Sequence, residues 1–169
     1  MKKLKFLISL RAEDNPFQKL QEVCARQAAQ RLGIDVEVRY AGNDAITQSE
    51  QLLKAIQGPE SARPNGIVCA PVGTTLVRVA QQAATAGIGW ALLNREGDYI
   101  PELRRTNQAP MFAVTVDQGE IGRIQGQQIG ALLPEGGMVL CVTGSGGNIA
   151  DHRLNWMQST KPASVLMPK

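Results

Sequence analysis

Apolar and polar positions along this chain alternate between two periods, one fitting short strands and one fitting longer helices. Leu4-Lys5-Phe6-Leu7-Ile8-Ser9-Leu10 is a nearly continuous apolar run of strand length. It breaks into a polar stretch at 11–16, where Asn15 suits a helix N-cap and Pro16 the first helical position. Phe17, Leu20, Val23, Cys24, Ala28 and Leu32 then recur at helical spacing, which predicts a helix with that stripe turned inward and Gly33 as its C-cap. The pattern repeats. Residues 35–40 alternate as a strand with Val36 and Val38 inward, and Asn43 or Asp44 caps a helix carrying Ile46, Leu52, Leu53 and Ile56. Residues 66–72 read as a third strand, followed by a helix capped by Thr74 or Thr75 and bearing Leu76, Val79, Ala80, Ala83 and Ala84. Residues 90–93 and 112–116 read as the fourth and fifth strands. A helix opening at Gln118 carries Ile121, Ile124, Ile129, Leu132 and Leu133, a sixth strand covers 138–142, and 150–158 starts another helix. The tail from 159 to 169 has two prolines and no period, so it reads as loose.

Strands alternating with helical stretches imply βαβ units, and therefore a parallel sheet with right-handed crossovers. The fold class expected is α/β, a doubly wound parallel sheet. Ligands of such sheets sit beyond the carboxyl ends of the strands. The loops there fall at 11–15, 71–75, 94–97, 117–118 and 143–148.

Composition narrows the function classes. The 169 residues carry 18 Lys and Arg against 15 Asp and Glu, a net charge of +3, too mild to argue for nucleic acid. Aromatic residues make up 4%, too few for base-stacking platforms. No apolar run approaches the ~18 residues of a membrane helix, so the chain is not expected to be membrane-embedded. Cys24, Cys69 and Cys141 lie far apart with no CxxC, and His152 is the single histidine. A metal site, a disulfide framework and a Ser-His-Asp triad are therefore not expected. The opening Met1-Lys2-Lys3 has a signal-like charge, but the apolar stretch after it is short and interrupted by Lys5. As written the chain reads as cytoplasmic, or as periplasmic if an upstream signal has been removed.

The strand-end loops hold hydrogen-bonding groups more than reactive ones. Asp14 and Asn15 follow the first strand, Asn94 and Arg95 the fourth, Asp117 the fifth, and Arg11 and Arg153 add guanidinium forks. Carboxylates, amides and guanidinium together suit a neutral polyol. Asp14, Asn15 and Asp117 read equally as helix caps, Asn94 as a turn residue, and Arg95 as a surface ion-pair partner. The loop Gly144-Ser145-Gly146-Gly147 is an incomplete dinucleotide fingerprint: GxGxxG is not fulfilled and no acidic strand end follows. Ser145 lacks the outer glycine spacing of a nucleophile elbow. His152 reads as an exposed helical residue.

In their order and spacing these segments resemble the type I periplasmic binding proteins of sugar transporters, the ribose-binding-like branch, and the effector-binding core of lactose-repressor-type regulators. The segments are 6–10 running into Asn15-Pro16-Phe17, then 66–71, Leu92-Leu93-Asn94-Arg95, Val116-Asp117-Gln118-Gly119 with Gly122 and Gly126, and the glycine loop leading to Arg153. The resemblance spans about residues 4 to 158. It implies residues 1–116 as a first ligand-binding lobe, 117–158 as a hinge-adjacent helix and the first βα unit of an incomplete second lobe, and 159–169 as a loose tail. It also implies a sugar or similar small polar ligand, bound by Asn15, Phe17, Asn94, Arg95 and Arg153, with Asp14 and Gln18 beside them. Asn94 departs from the aspartate usual there, and Gln18 from a second aromatic. The expected partners are the ligand, an ABC permease and, given the length, a second copy of the chain. No cofactor, nucleic acid or enzymatic activity is expected. Two alternatives are a cytoplasmic effector-sensing domain without a DNA-binding segment and a nucleotide-dependent enzyme.

Overall fold

The structure, a computed structural model, describes residues 3–74, 76–142 and 148–166, with Asn148 and Ile149 through their backbone only. The chain divides into two compact units, Met1–Thr115 and Val116–Lys169.

The first unit alternates β1 (Lys5–Leu10), α1 (Pro16–Leu32), β2 (Asp35–Tyr40), α2 (Ala45–Gln57), β3 (Gly66–Cys69), α3 (Val77–Thr85), β4 (Gly89–Leu93), α4 (Ile100–Thr106) and β5 (Met111–Val114). The strands form one sheet in the order β2-β1-β3-β4-β5. Every pairing is parallel, with Ile8 opposite both Val38 and Val68, and Ala91 opposite Phe112. This is the doubly wound α/β lobe that the strand–helix rhythm predicts. Successive side chains of a strand point to opposite faces. Leu7, Ile67, Cys69, Trp90, Leu92 and Met111 turn to one face and pack with Leu52 and Ile56 of α2, Val79 and Ala83 of α3, and Ile100 and Leu103 of α4. On the other face Ile8, Leu10 and Ala70 pack with Val36, Val38 and Ala25 of α1.

The second unit holds α5 (Gln118–Leu132), β6 (Gly137–Met138), α6 (Asn148–Thr160) and β7 (Val165–Leu166), with β6 and β7 paired in parallel. Its helices approach closely through a row of glycines. A Cβ on Gly122 would stand 2.2 Å from the Arg153 carbonyl oxygen, and one on Gly126 2.8 Å from that of Met157. Backbone there cannot yield as a flexible side chain can.

The structure departs from the sequence reading at several places. The large apolar residues of α1, Phe17, Leu20, Val23, Cys24 and Leu32, are exposed; the buried positions are Gln18 and Ala29, with Ala25 on the same stripe. Likewise Ile124 and Leu132 of α5 face solvent, and Gly122 and Gly126 make the buried side. In both helices small residues allow the close approach, which leaves the bulky ones outside. Helix α4 leaves little pattern in the sequence because it is short and offers only Ile100 and Leu103 as buried positions. Helix α3 starts at Val77 without a side-chain cap, so Thr74 does not cap it, and Thr75 lies outside the described residues. Strand β3 stops at Cys69, β5 at Val114 and β6 at Met138, each short of the apolar run that suggested it. The tail is not loose from 159: α6 runs to Thr160, and Val165 is buried where β7 pairs with β6.

The glycine row makes the α5–α6 pair sensitive to a single methyl group. Gly122→Ala forces backbone apart and is expected to destabilise the pair by about 1–3 kcal/mol, the usual cost of overpacking. Faster amide exchange along both helices checks it. The core also sets a response to alkaline pH. Burial, then the hydrogen bond to Glu22, pushes the Tyr40 phenol up to about 12 from 10.0. Burial also raises the Tyr99 phenol from 10.0 and the Cys69 thiol from 9.0, each to about 12. All three ionise more readily in the unfolded chain, so their contribution to stability is complete below pH 9.0 and is lost as pH rises toward 12. Denaturant midpoints are expected to fall steadily across that window, and less steeply in Tyr40→Phe.

Candidate functional site

Because all five strands run the same way, the turns leaving β1, β3 and β4 share one rim of the sheet. The turn after β1 is held from inside by Gln18. Its side chain is buried, its Oε1 accepts from the Arg11 backbone N–H at 2.8 Å, and its Nε2 donates to Gln21 Oε1 at 2.8 Å. The Arg11 carbonyl accepts from the Asn43 N–H at 2.8 Å, which ties the same turn to the loop before α2. The turn after β4 is tied to the turn after β3 by Arg95, whose Nη1 donates to the Gly73 carbonyl.

Asn15 is the N-cap of α1: its Oδ1 accepts from the N–H groups of Phe17 at 2.9 Å and Gln18 at 3.2 Å. That leaves its Nδ2 free to donate. Asp14 beside it is exposed and, among the described residues, makes no side-chain hydrogen bond. Phe17 is 55% exposed at the start of α1, an aromatic face that the core does not use. Asn94 ends β4 in the left-handed region, φ 64°, with its side chain exposed. Asparagine tolerates that conformation better than most residues, and such positions concentrate where function requires a fixed backbone. Asp14, Asn15 and Phe17 thus stand at the end of β1, and Asn94 and Arg95 at the end of β4. With β3 between them, ordinary strand spacing sets the ends of β1 and β4 about 10 Å apart. Gln18 sits beneath this rim rather than on it.

Arg153 belongs to α6 of the second unit, where its Nε and Nη2 donate to Gln118 Oε1 at 3.1 and 2.5 Å. Asp117 caps α5, with Oδ1 accepting from the Glu120 N–H at 2.9 Å. His152 is exposed on α6. The glycine loop with Ser145 lies outside the described residues. Among the described residues no three His, Cys, Asp or Glu side chains gather as a metal cluster, and no helix is long and apolar enough to cross a membrane. A cavity of about 460 Å³ lies at the opposite end of the sheet, lined by Lys5, Phe6, Asp35, Lys54, Pro59 and Pro64. It contains none of the residues singled out from the sequence.

This arrangement of sheet and rim has known relatives. Residues 6–161 match the periplasmic binding protein domain. The chain belongs to that family. No curated protein matches the sequence. Among solved structures, one similar to this binding-protein chain is a periplasmic solute binding protein of an ABC transporter from Actinobacillus succinogenes 130z with bound D-allose. The TM-score is 0.82 at 16% identity, covering 98% of this chain and 58% of that one. Another is an ABC transporter solute binding protein from Mycobacterium smegmatis with bound glycerol, with a TM-score of 0.80 at 23% identity, covering 99% and 55%. A third is the fructose binding periplasmic domain of a hybrid two-component system, with a TM-score of 0.77 at 20% identity, covering 98% and 52%. At these identities the likeness establishes the fold. The chain spans little more than half the length of these relatives.

Asn15, Asn94 and Arg95 stand out in the sequence through their places after strands and Phe17 through the family resemblance, but nothing there marks Gln18 as buried. Gln48 of α2, which is also buried, escapes a reading by motif; a polar residue in an otherwise apolar helical stripe is the signal that could find it. Asn15→Ala is expected to cost about 0.5–2 kcal/mol, the ordinary effect of a lost N-cap. Asn15→Asp is expected to keep most of that stability, and urea unfolding of the two variants checks both.

Proposed function

We propose that this chain is a solute-binding protein that holds a sugar or polyol at the carboxyl ends of its strands, for uptake by an ABC permease. The observation that carries the reading is the match to the periplasmic binding protein domain across residues 6–161. The rim chemistry agrees with it. Asp14 accepts from ligand hydroxyls and Asn15 Nδ2 donates to them. Phe17 offers its ring face to the apolar side of a sugar, and Asn94 and Arg95 reach the ligand from β4. Asn94 makes a neutral hydrogen bond where a carboxylate would make a charge-assisted one of roughly twice the strength. Gln18 supports the turn that carries Asp14 and Asn15. Arg153 joins the ligand shell by the family resemblance, with its fork now resting on Gln118. In this reading the chain is a binder and not an enzyme, and it works in the periplasm.

One observation favours a second reading. The fructose binding domain among the similar structures belongs to a two-component system. In this second reading the same rim reports ligand occupancy to a protein partner.

Isothermal titration with D-allose, D-fructose and glycerol separates binding from its absence. Saturable binding of at least one is expected in the wild type. Asn15→Asp, which keeps the cap and replaces the donor with an acceptor, is expected to weaken it about tenfold, the equivalent of one good hydrogen bond. No saturation with any of the three overturns the assignment of these ligands.

A further inference from the structure

Gln48 is fully buried in the first turn of α2, at 0% exposure, and its amide bonds to two other segments. Nε2 donates to Ser9 Oγ at 3.0 Å and to the Ala70 carbonyl at 3.1 Å. Oε1 accepts from the Val72 N–H at 2.7 Å. One side chain therefore joins the end of β1 to both sides of Pro71. The turn needs such a tie for two reasons. Pro71 has no N–H to donate. Helix α3, which follows, begins at Val77 with no side-chain cap among the described residues to fix its entry. Immediately beyond Val72 lies Gly73, held at φ 69°, and its carbonyl accepts from Arg95. The position of the Arg95 fork thus depends on a turn that Gln48 fixes from inside the core.

We propose that Gln48 is a positioning residue for the ligand rim: by pinning Ala70 and Val72 it sets the Gly73 carbonyl on which Arg95 rests, so that it governs ligand affinity beyond its share of stability. This rests on the solute-binding reading. Filling the same volume without the bonds separates position from packing. Gln48→Met keeps the bulk and removes all three hydrogen bonds. Ile56→Val, in the same helix and the same core, serves as a control that loses only packing.

The experiment measures D-allose affinity by calorimetry and amide exchange by NMR in wild type and both variants. The expected result is affinity about tenfold weaker in Gln48→Met and unchanged within about twofold in Ile56→Val, where tenfold equals one hydrogen bond's worth of binding. Exchange at Val72 and Gly73 is expected to accelerate in Gln48→Met while Trp90, Ala91 and Leu92 keep the wild-type rate. Equal weakening in both variants, or acceleration spread evenly over the sheet, assigns Gln48 to packing alone and overturns the proposal. If the wild type itself binds no D-allose, that assignment of ligand fails, and the exchange pattern alone decides whether Gln48 positions the turn. Should Gln48→Met not fold, Gln48→Glu takes its place: it keeps an oxygen for the Val72 N–H and loses both donated bonds, and the same two outcomes are read.

Discussion

Parallel pairing is the constraint on which the rest of this structure depends. Once β1 pairs in the same direction with β2 on one side and β3 on the other, each chain crossover must return through a helix, and every strand must end on the same rim. The ladder satisfies the strands but stops where they stop. Beyond that point the backbone needs other partners, because buried N–H and C=O groups left unpaired are costly. Two buried glutamines provide them: Gln18 to Arg11 after β1, and Gln48 to Ala70 and Val72 after β3. The rim is ordered by side-chain amides that rise from the helices beneath it.

That arrangement explains how much of the molecule is legible in its sequence. Strand and helix positions follow from period and punctuation, because Asn15-Pro16 and Gly33 act locally and do in the structure what those residues do anywhere. Helix faces follow in α2 and α3, where Leu52, Ile56, Val79, Ala80, Ala83 and Ala84 are buried as their stripes predict, but not in α1 and α5. A stripe of large apolar residues is the ordinary sign of a buried face, yet in α1 the sheet is met by Ala25 and Ala29, and in α5 the neighbouring helix is met by Gly122 and Gly126. Close approach rewards the absence of a side chain, and hydropathy does not register absence. Asn15, Asn94 and Arg95 are visible as candidates because they stand in the turns that follow strands, and Phe17 through the family resemblance. Gln48 shows in the sequence only as a break in an apolar stripe, because its partners Ser9 and Ala70 are distant in sequence and meet it only in the fold.

The displaced titrations bear on what kind of site this is. Perturbed groups gather at catalytic centres when burial and charge are set against each other there. Here each displaced group has a local structural cause. Asp44 and Glu120 are held below the ordinary carboxylate range, the first by the N–H of Thr47 that it caps and the second by Arg123 one helical turn on. Glu22 is lowered first by the Tyr40 hydroxyl, which donates to it at 2.6 Å and fastens α1 to β2. Cys69 and Tyr99 are raised by burial in the main core. These shifts belong to a helix cap, a surface ion pair within α5, a helix–strand tie and the core.

The rim itself offers direction rather than reactivity. Asn15 commits its oxygen to the helix and keeps its nitrogen, so it can donate but not accept. Asp14 beside it can only accept when ionised. Across β3, Asn94 is locked by its backbone while Arg95 is locked by the neighbouring turn. A ligand that satisfies this set must present both donors and acceptors. Hydroxyls do both at once, and a ring bearing several of them does so without adding charge. Affinity then depends on how little these groups must move on binding, since ordering side chains and loops subtracts from the energy of each new hydrogen bond to the ligand. In the solute-binding reading proposed above, the buried amides that hold the turns in place before the ligand arrives are therefore as much a part of recognition as the groups that would touch it.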